Sequence, residues 1–227
     1  METKVIAHIY NDFPTKFGIP RQSGLAEGVV GRIVFEPEYA VADAVRGLEN
    51  YSHIWLIWQF SEAMRDTWSP TVRPPRLGGN KRMGVFATRS PFRPNSIGLS
   101  SVKLERVEQT AQGPVLIVSG ADLMDSTPIL DIKPYLPFTD SHPDAVGGFS
   151  DEVRDYSLEV IIPDEIIEKI APEKLSALRQ ILSGDPRPSY HDDPDRIYGF
   201  LFADMEIKFS VSDGVLTVHS VDGPRFV

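Results

Sequence analysis

The chain has 227 residues, 41% hydrophobic and 24% charged, with no cysteine and a net charge of −9. This is the composition of a water-soluble globular protein, and no apolar run reaches the ~20 residues that span a bilayer. The lack of thiols removes disulfides, thiolate nucleophiles and thiolate metal sites. The five scattered histidines form no pair at ligand spacing, so no metal is expected. The opening METKVIAHIYNDF has no basic stretch followed by an apolar block, so no secretion signal is expected, and a cytoplasmic protein is.

In chain order, residues 4–10 alternate as an opening strand, and the Pro- and Gly-rich 14–24 reads as a loop. A strand is predicted over 28–35, and a short helix over 37–48, from Pro37 to the region of Gly47. SHIWLIWQF (52–60) is β-branched and aromatic and predicts a buried strand. Further strands are predicted at 84–88, 101–109 and 114–123. After about residue 140 come another strand (156–162), a helical stretch (163–184) divided or offset at Pro172, and a Pro-rich loop (185–199). A closing hairpin turns at Ser212, Asp213 and Gly214. Many short strands joined by loops predict a mainly β protein, a small β-barrel or sandwich. It would occupy 1–145, with a smaller α+β domain over 146–227. No GxGxxG follows a strand, so a dinucleotide-binding fold gets no support.

Charge is uneven. Between Arg65 and Arg106 nine Lys or Arg face only Asp66 and Glu105, leaving the rest of the chain strongly acidic. A basic, selective face on an acidic body follows, unless acids elsewhere in the fold neutralise it. Within this region lies RPPRLGGNKRMGVFATRSPFRPNSIGLSSVK (73–103), where Pro, Gly, Arg, Asn and Phe favour rigid display over regular structure. Guanidinium groups beside aromatic faces suit a ligand with anionic groups and flat rings.

Four constellations stand out. In IPRQSG (19–24), Arg21 is fit to clamp a carboxylate and Gln22 to read an amide or base edge, with a plain surface turn as the alternative. In WQFSE (58–62), Phe60 offers a ring and Ser61 a hydroxyl, whereas Trp55, Ile57 and Trp58 read as core. In 84–102, Arg89 precedes a Pro-rich turn in which Pro91 and Pro94 hold Phe92, Arg93 and Asn95 in a rigid display; a tight barrel corner is the alternative. In DLMDSTPILDIKPYLPF (122–138), Asp122, Asp125 and Asp131 flank an apolar run. Asp125 with Ser126, Thr127 and Pro128 reads either as a capping turn or as a carboxylate-and-hydroxyl set for a cationic ligand, with Lys133 and Tyr135 opposite.

PRQSG, ADAVRGLENYSHIW, RPPRLGGNKRMGVFATRSPFRPNSIG, DSTPILDIKPYLPF and, in the tail, DPRPSY occur in this order. Together they resemble the TsaA-like (TrmO) family of S-adenosylmethionine-dependent tRNA methyltransferases, across essentially the whole chain. The resemblance implies a small β-barrel methyltransferase with a C-terminal domain, working as a homodimer. It implies methyl transfer from S-adenosyl-L-methionine to N6 of threonylcarbamoyladenosine, next to the anticodon in the tRNA anticodon stem-loop. The family's cofactor positions fall on Pro20, Arg21, Gln22, Phe60, Ser61, Arg89, Leu99, Asp125, Ser126, Thr127 and Pro128. Ser126 stands where the family pattern has glycine, so the geometry of that turn is in question.

The residues suit this role. Arg, Asp, hydroxyls and an aromatic ring match a cofactor with a carboxylate, a sulfonium, ribose hydroxyls and adenine. Arg73, Arg76, Lys81, Arg82 and Arg93 are candidates for phosphate contacts. Arg187 and Tyr190 would contact RNA or shape the partner's site, with a simple turn as the alternative. The proton acceptor is unassigned, with Asp125 and Asn95 as candidates. The rival readings are a non-catalytic RNA-binding module, a methyltransferase acting on a non-tRNA substrate, and a phosphate-ester hydrolase. The last lacks a metal cluster or an activated nucleophile in the sequence.

Overall fold

The computed structural model describes residues 2–64, 67–74, 81–187 and 193–223. Strands β1 (Ala7–Tyr10), β2 (Val30–Phe35) and β3 (His53–Gln59) are followed by a ribbon of β4 (Thr71–Val72) and β5 (Met83–Gly84). Three longer strands come next, β6 (Ile97–Thr110), β7 (Gly113–Ser119) and β8 (Thr127–Pro134). All but the ribbon close into an antiparallel barrel in the order β1-β2-β7-β6-β3-β8.

Alternation builds it. Ile54, Leu56 and Trp58 of β3 and Val102 and Leu104 of β6 point inward and join Ile9, Ile33, Leu116, Val118 and Ile129 in one dry core. On β6 one inward position breaks the apolar rule. Ser100 is 1% exposed between Gly98 and Val102.

The second unit is a four-stranded sheet of β9 (Glu159–Ile161), β10 (Tyr198–Phe202), β11 (Met205–Ser212) and β12 (Val215–Asp222), in the order β10-β11-β12-β9. Among the described residues three α-helices occur, α1 (Pro137–Asp140), α2 (Asp164–Ile167) and α3 (Pro172–Ser183). Proline opens α3 at its first turn, where a missing N–H costs nothing, and divides the stretch there as the sequence predicts. Ala177, Leu178, Ile181 and Leu182 of α3 meet Phe200, Phe202, Ile207 and Phe209 in a second core.

That core also takes in Phe13, Ala26 and Val29, all from the loop between β1 and β2. Complete burial of a phenylalanine stabilises by about 1.5–3 kcal/mol, so Phe13 is a substantial anchor of this loop onto the second unit. Around it, Ala203 donates its N–H to Asp12 O at 2.8 Å, and Gly28 donates its N–H to Gln180 Oε1 at 3.0 Å. Lys174 pairs with Asp12.

Three sequence expectations differ. The helix expected over 37–48 is two 3-10 turns, Ala42–Val45 and Leu48–Asn50. They are separated by Gly47 at φ 87°, a left-handed residue that no helix propagates through. The strand expected over 84–88 stops at Gly84 and continues as a 3-10 turn, Val85–Ala87. The closing hairpin is preceded by one more strand, because Ala203 (φ 51°) turns β10 into β11.

Candidate active site

Antiparallel pairing brings the ends of β1 and β3 and the starts of β6 and β8 to the same end of the barrel. A cleft of about 280 Å³ opens there. Its walls are Lys16, Ile19 and Pro20 from the β1–β2 loop, Trp58 to Ala63 from the end of β3, and Pro91. Its floor is Asp122, Met124 and Thr127 from the β7–β8 connection. Trp58 and Phe60 make the aromatic side, with ring centroids 4.1 Å apart at 57°. Lys16 Nζ bonds the carbonyl of Glu62 across the opening.

The floor carries a polar chain. Trp58 donates its indole N–H to Ser100 Oγ at 3.0 Å, and Ser100 donates to Asp122 Oδ1 at 2.5 Å. Burial pushes the Asp122 carboxyl up. The hydrogen bond from Ser100, backbone N–H groups of Asp122 and Ser23, and the nearby Arg89 charge oppose that shift without cancelling it. Gly98 sits opposite Trp58 in the β3–β6 register; a Cβ there would lie 2.2 Å from the indole Cε2. The absence of a side chain on β6 is what lets the indole lie flat toward Ser100.

Of the cofactor positions implied by the sequence, Pro20, Phe60, Ser61 and Thr127 line this cleft. Arg89 is exposed and donates to Gln22 Oε1, tying the 84–102 segment to the β1–β2 loop. Arg21 faces elsewhere: its Nη2 donates to Asp185 O at 3.0 Å and Arg187 O at 3.1 Å, fixing the loop onto the second unit. Leu99 is 55% exposed on the outside of the barrel, one residue out of phase with the cleft-facing positions. Pro128 is buried in β8 opposite His8.

Asp125 and Ser126 hold their own turn. Asp125 Oδ1 accepts from Asn11 N at 2.9 Å, Oδ2 accepts from Ser126 Oγ at 3.0 Å, and Ser126 N donates to Ile9 O at 2.8 Å. Ser126 has φ 62°, which explains why glycine suits the position. Neither Asp125, with both oxygens engaged, nor Asn95, exposed on the turn before β6, reaches the cleft lining.

Arg73, Lys81 and Arg82 are exposed around the β4–β5 ribbon, and Arg93 Nη1 donates to Thr88 O at 3.4 Å. Arg76 and Tyr190 lie outside the described residues. The Arg187 side chain is 11% exposed and grips Asp185 through Nε–Oδ1 (2.9 Å) and Nη2–Oδ2 (3.0 Å), while Tyr156 Oη donates to Asp185 Oδ2 at 2.9 Å. These bonds hold the 185–187 turn.

Sequence reasoning missed Lys16, Ile19, Met124 and Pro91 as lining residues, and assigned Trp58 to plain packing. The available signal was Ser100, a polar residue in phase with the inward face of β6. Among the described residues no group of three or more His, Asp or Glu is placed to hold a metal ion.

A closed six-stranded barrel with a part-aromatic, part-carboxylate cleft at one end defines a barrel enzyme outside the doubly wound nucleotide-binding folds. Residues 8–141 match the model of the tRNA-methyltransferase O N-terminal domain, and residues 155–224 that of the TrmO C-terminal domain. The chain belongs to the tRNA-methyltransferase O family. It is 40% identical to the tRNA (adenine(37)-N6)-methyltransferase of Escherichia coli, covering 97% of each chain. It is also 40% identical to the putative S-adenosylmethionine-dependent methyltransferase RcsF of Pseudomonas aeruginosa, covering 90% of each. The crystal structure of TrmO from Pseudomonas aeruginosa superposes with a TM-score of 0.79 at 32% identity, covering 98% of this chain and 99% of that one.

Proposed function

We propose that the chain is a tRNA (adenine(37)-N6)-methyltransferase that uses S-adenosyl-L-methionine, works in the cytosol as a homodimer, and acts on N6 of threonylcarbamoyladenosine. The observation that carries this reading is the convergence of four separate sequence segments on one cleft, in a chain that matches a tRNA methyltransferase over 97% of its length. The donor set fits the cofactor. Phe60 and Trp58 offer ring faces for a purine, Ser61 and Thr127 offer hydroxyls, and Lys16 offers a counter-charge for a carboxylate.

When bound, the cofactor supplies a methyl carbon activated on a sulfonium. The protein's part is to bind, orient and keep water out. The apolar walls from Ile19, Pro20, Met124 and Pro91 exclude solvent, and a rigid aromatic side restricts the approach of the acceptor nitrogen. Methyl transfer needs an in-line geometry and little covalent help, so positioning can provide much of the rate. The target base lies in a single-stranded loop and can be splayed out without opening a duplex. Arg73, Lys81, Arg82 and Arg93 are placed on the basic segment to meet phosphates, which an acidic body would otherwise repel.

The test is incubation with labelled S-adenosylmethionine and two tRNA pools, with and without threonylcarbamoyladenosine, followed by nucleoside mass spectrometry. A methyl gain on the modified adenosine alone is expected. Transfer to neither pool, with the cofactor bound tightly in calorimetry, would refute tRNA as the acceptor.

A further inference from the structure

We propose that Asp122 is a catalytic residue, the group that takes the proton from the acceptor nitrogen, with Ser100 and Trp58 as its positioning residues. The inference rests on the tRNA methyltransferase reading above and names the residue that reading leaves unassigned.

Of the two carboxyl side chains that line the cleft, Glu62 is exposed on the rim and Asp122 is set into the floor. Asp122 is held in one orientation. Oδ1 accepts a hydrogen bond from the Ser100 hydroxyl, and the same hydroxyl oxygen is itself fixed by the Trp58 indole N–H at 3.0 Å. That chain is built across two strands of the barrel, and Gly98 is bare so that the indole can complete it. A serine buried on the apolar face of β6 has no packing purpose, and a buried hydroxyl is kept only where it is hydrogen-bonded. Asp125 offers no such opportunity, because both of its oxygens are committed to its own turn.

The chemistry balances. The nitrogen lone pair forms a bond to the methyl carbon, the carbon–sulfur bond breaks, and its electron pair stays on sulfur as a neutral thioether. The N–H proton passes to the Asp122 carboxylate, which becomes a neutral acid. A cation and an anion present at the start are both gone at the end, and a poorly solvated cleft favours a step that removes separated charge. A carboxylate whose acidity has been weakened by burial also accepts a proton more readily than one in water. The charged groups that bear on it are Arg89 from the 84–102 segment, Lys16 from the β1–β2 loop and Glu62 from the turn after β3.

The experiment compares wild type with Asp122→Asn, which keeps the size of the side chain and an acceptor for Ser100. In the tRNA assay kcat is expected to fall roughly 10²–10⁴-fold, the usual contribution of a general base. Calorimetric affinities for S-adenosylmethionine and for tRNA should stay within about threefold, since the lost step is proton transfer and not binding. The wild-type rate should rise with pH through one ionisation and Asp122→Asn should lose that limb; Ser100→Ala, lacking a bond that favours the carboxylate, should move it to higher pH. A readout without substrate accompanies these. In ¹⁵N-labelled, cofactor-free protein the Trp58 indole resonance should titrate with pH in wild type and not in Asp122→Asn. Unimpaired kcat, or a loss fully explained by cofactor affinity, overturns the inference while the tRNA reading stands. A wild type that methylates no tRNA overturns that reading and the inference with it. Asp122→Glu guards against misfolding: a folded, cofactor-binding variant with partial activity supports the role, and full activity in Asp122→Asn alone refutes it.

Discussion

Replacing Gly98 with alanine tests whether the cleft depends on a bare backbone in β6. The added Cβ would lie 2.2 Å from Trp58 Cε2 and 2.5 Å from Cζ2, so either the indole or the strand must shift by more than an ångström. The indole has little room. The Phe60 ring lies tilted against it at 4.1 Å between centroids, and the indole N–H is bonded to Ser100. Overpacking of this kind costs about 1–3 kcal/mol. Pulling the indole N–H off Ser100 in a buried site adds about 1–3 kcal/mol more. The sum is about 2–6 kcal/mol, and at roughly 2–4 °C per kcal/mol for a chain of this size Tm should drop by ~5–20 °C. Differential scanning calorimetry measures it, with isothermal calorimetry for cofactor affinity alongside. Gly84→Ala is the control, since nothing lies within 4 Å of a Cβ built there. If Gly98→Ala melts within ~2 °C of wild type and binds cofactor normally, the indole is not confined as described and the account of the cleft floor fails.

Three further predictions concern other parts of the molecule. Ser126→Val should destabilise by about 1–3 kcal/mol because a β-branched side chain resists φ near 62°, whereas Ser126→Gly should stay within about 1 kcal/mol of wild type; equal urea midpoints for the two would refute a left-handed turn. Burial raises the Asp185 carboxyl, but the bonds from Arg187 and Tyr156 outweigh it and hold the group below its ordinary value. Its stabilisation is therefore present above the unfolded value near ~4 and is lost as pH falls through the lower folded value, and Asp185→Asn should cost about 1.5–3 kcal/mol at pH 7 and progressively less in acid, read from denaturation at several pH values. Removing Lys81 and Arg82 together should lower the slope of log K against log[salt] for tRNA by about 1 per residue, and an unchanged slope in filter binding would place the phosphates elsewhere.

The barrel was legible where strands alternate: Ile54, Leu56 and Trp58 announce an inward face without reference to any other part of the chain. Pro172 and the Ser212–Gly214 turn were equally local signals. The site was legible only in part, through segments whose composition is odd for core or surface. Arg21 and Arg187 show why the rest was not. Their surroundings come from distant parts of the chain: Arg21 donates to carbonyls 164 and 166 residues away, and Arg187 pairs with a carboxylate that Tyr156 also bonds. Asp122 failed in the opposite direction. As one acid among three near an apolar run it carried no mark of its role, which comes from side-chain hydrogen bonds linking it through Ser100 to Trp58.

The β1–β2 loop joins these observations. On one side it gives Phe13, Ala26 and Val29 to the core of the second unit; on the other it gives Lys16, Ile19 and Pro20 to the cleft. Between these, Arg21 is bonded to the 185–187 turn, and Gln22 to Arg89. The second unit is therefore joined to the cleft-bearing loop by packed side chains and by hydrogen bonds from a charged guanidinium.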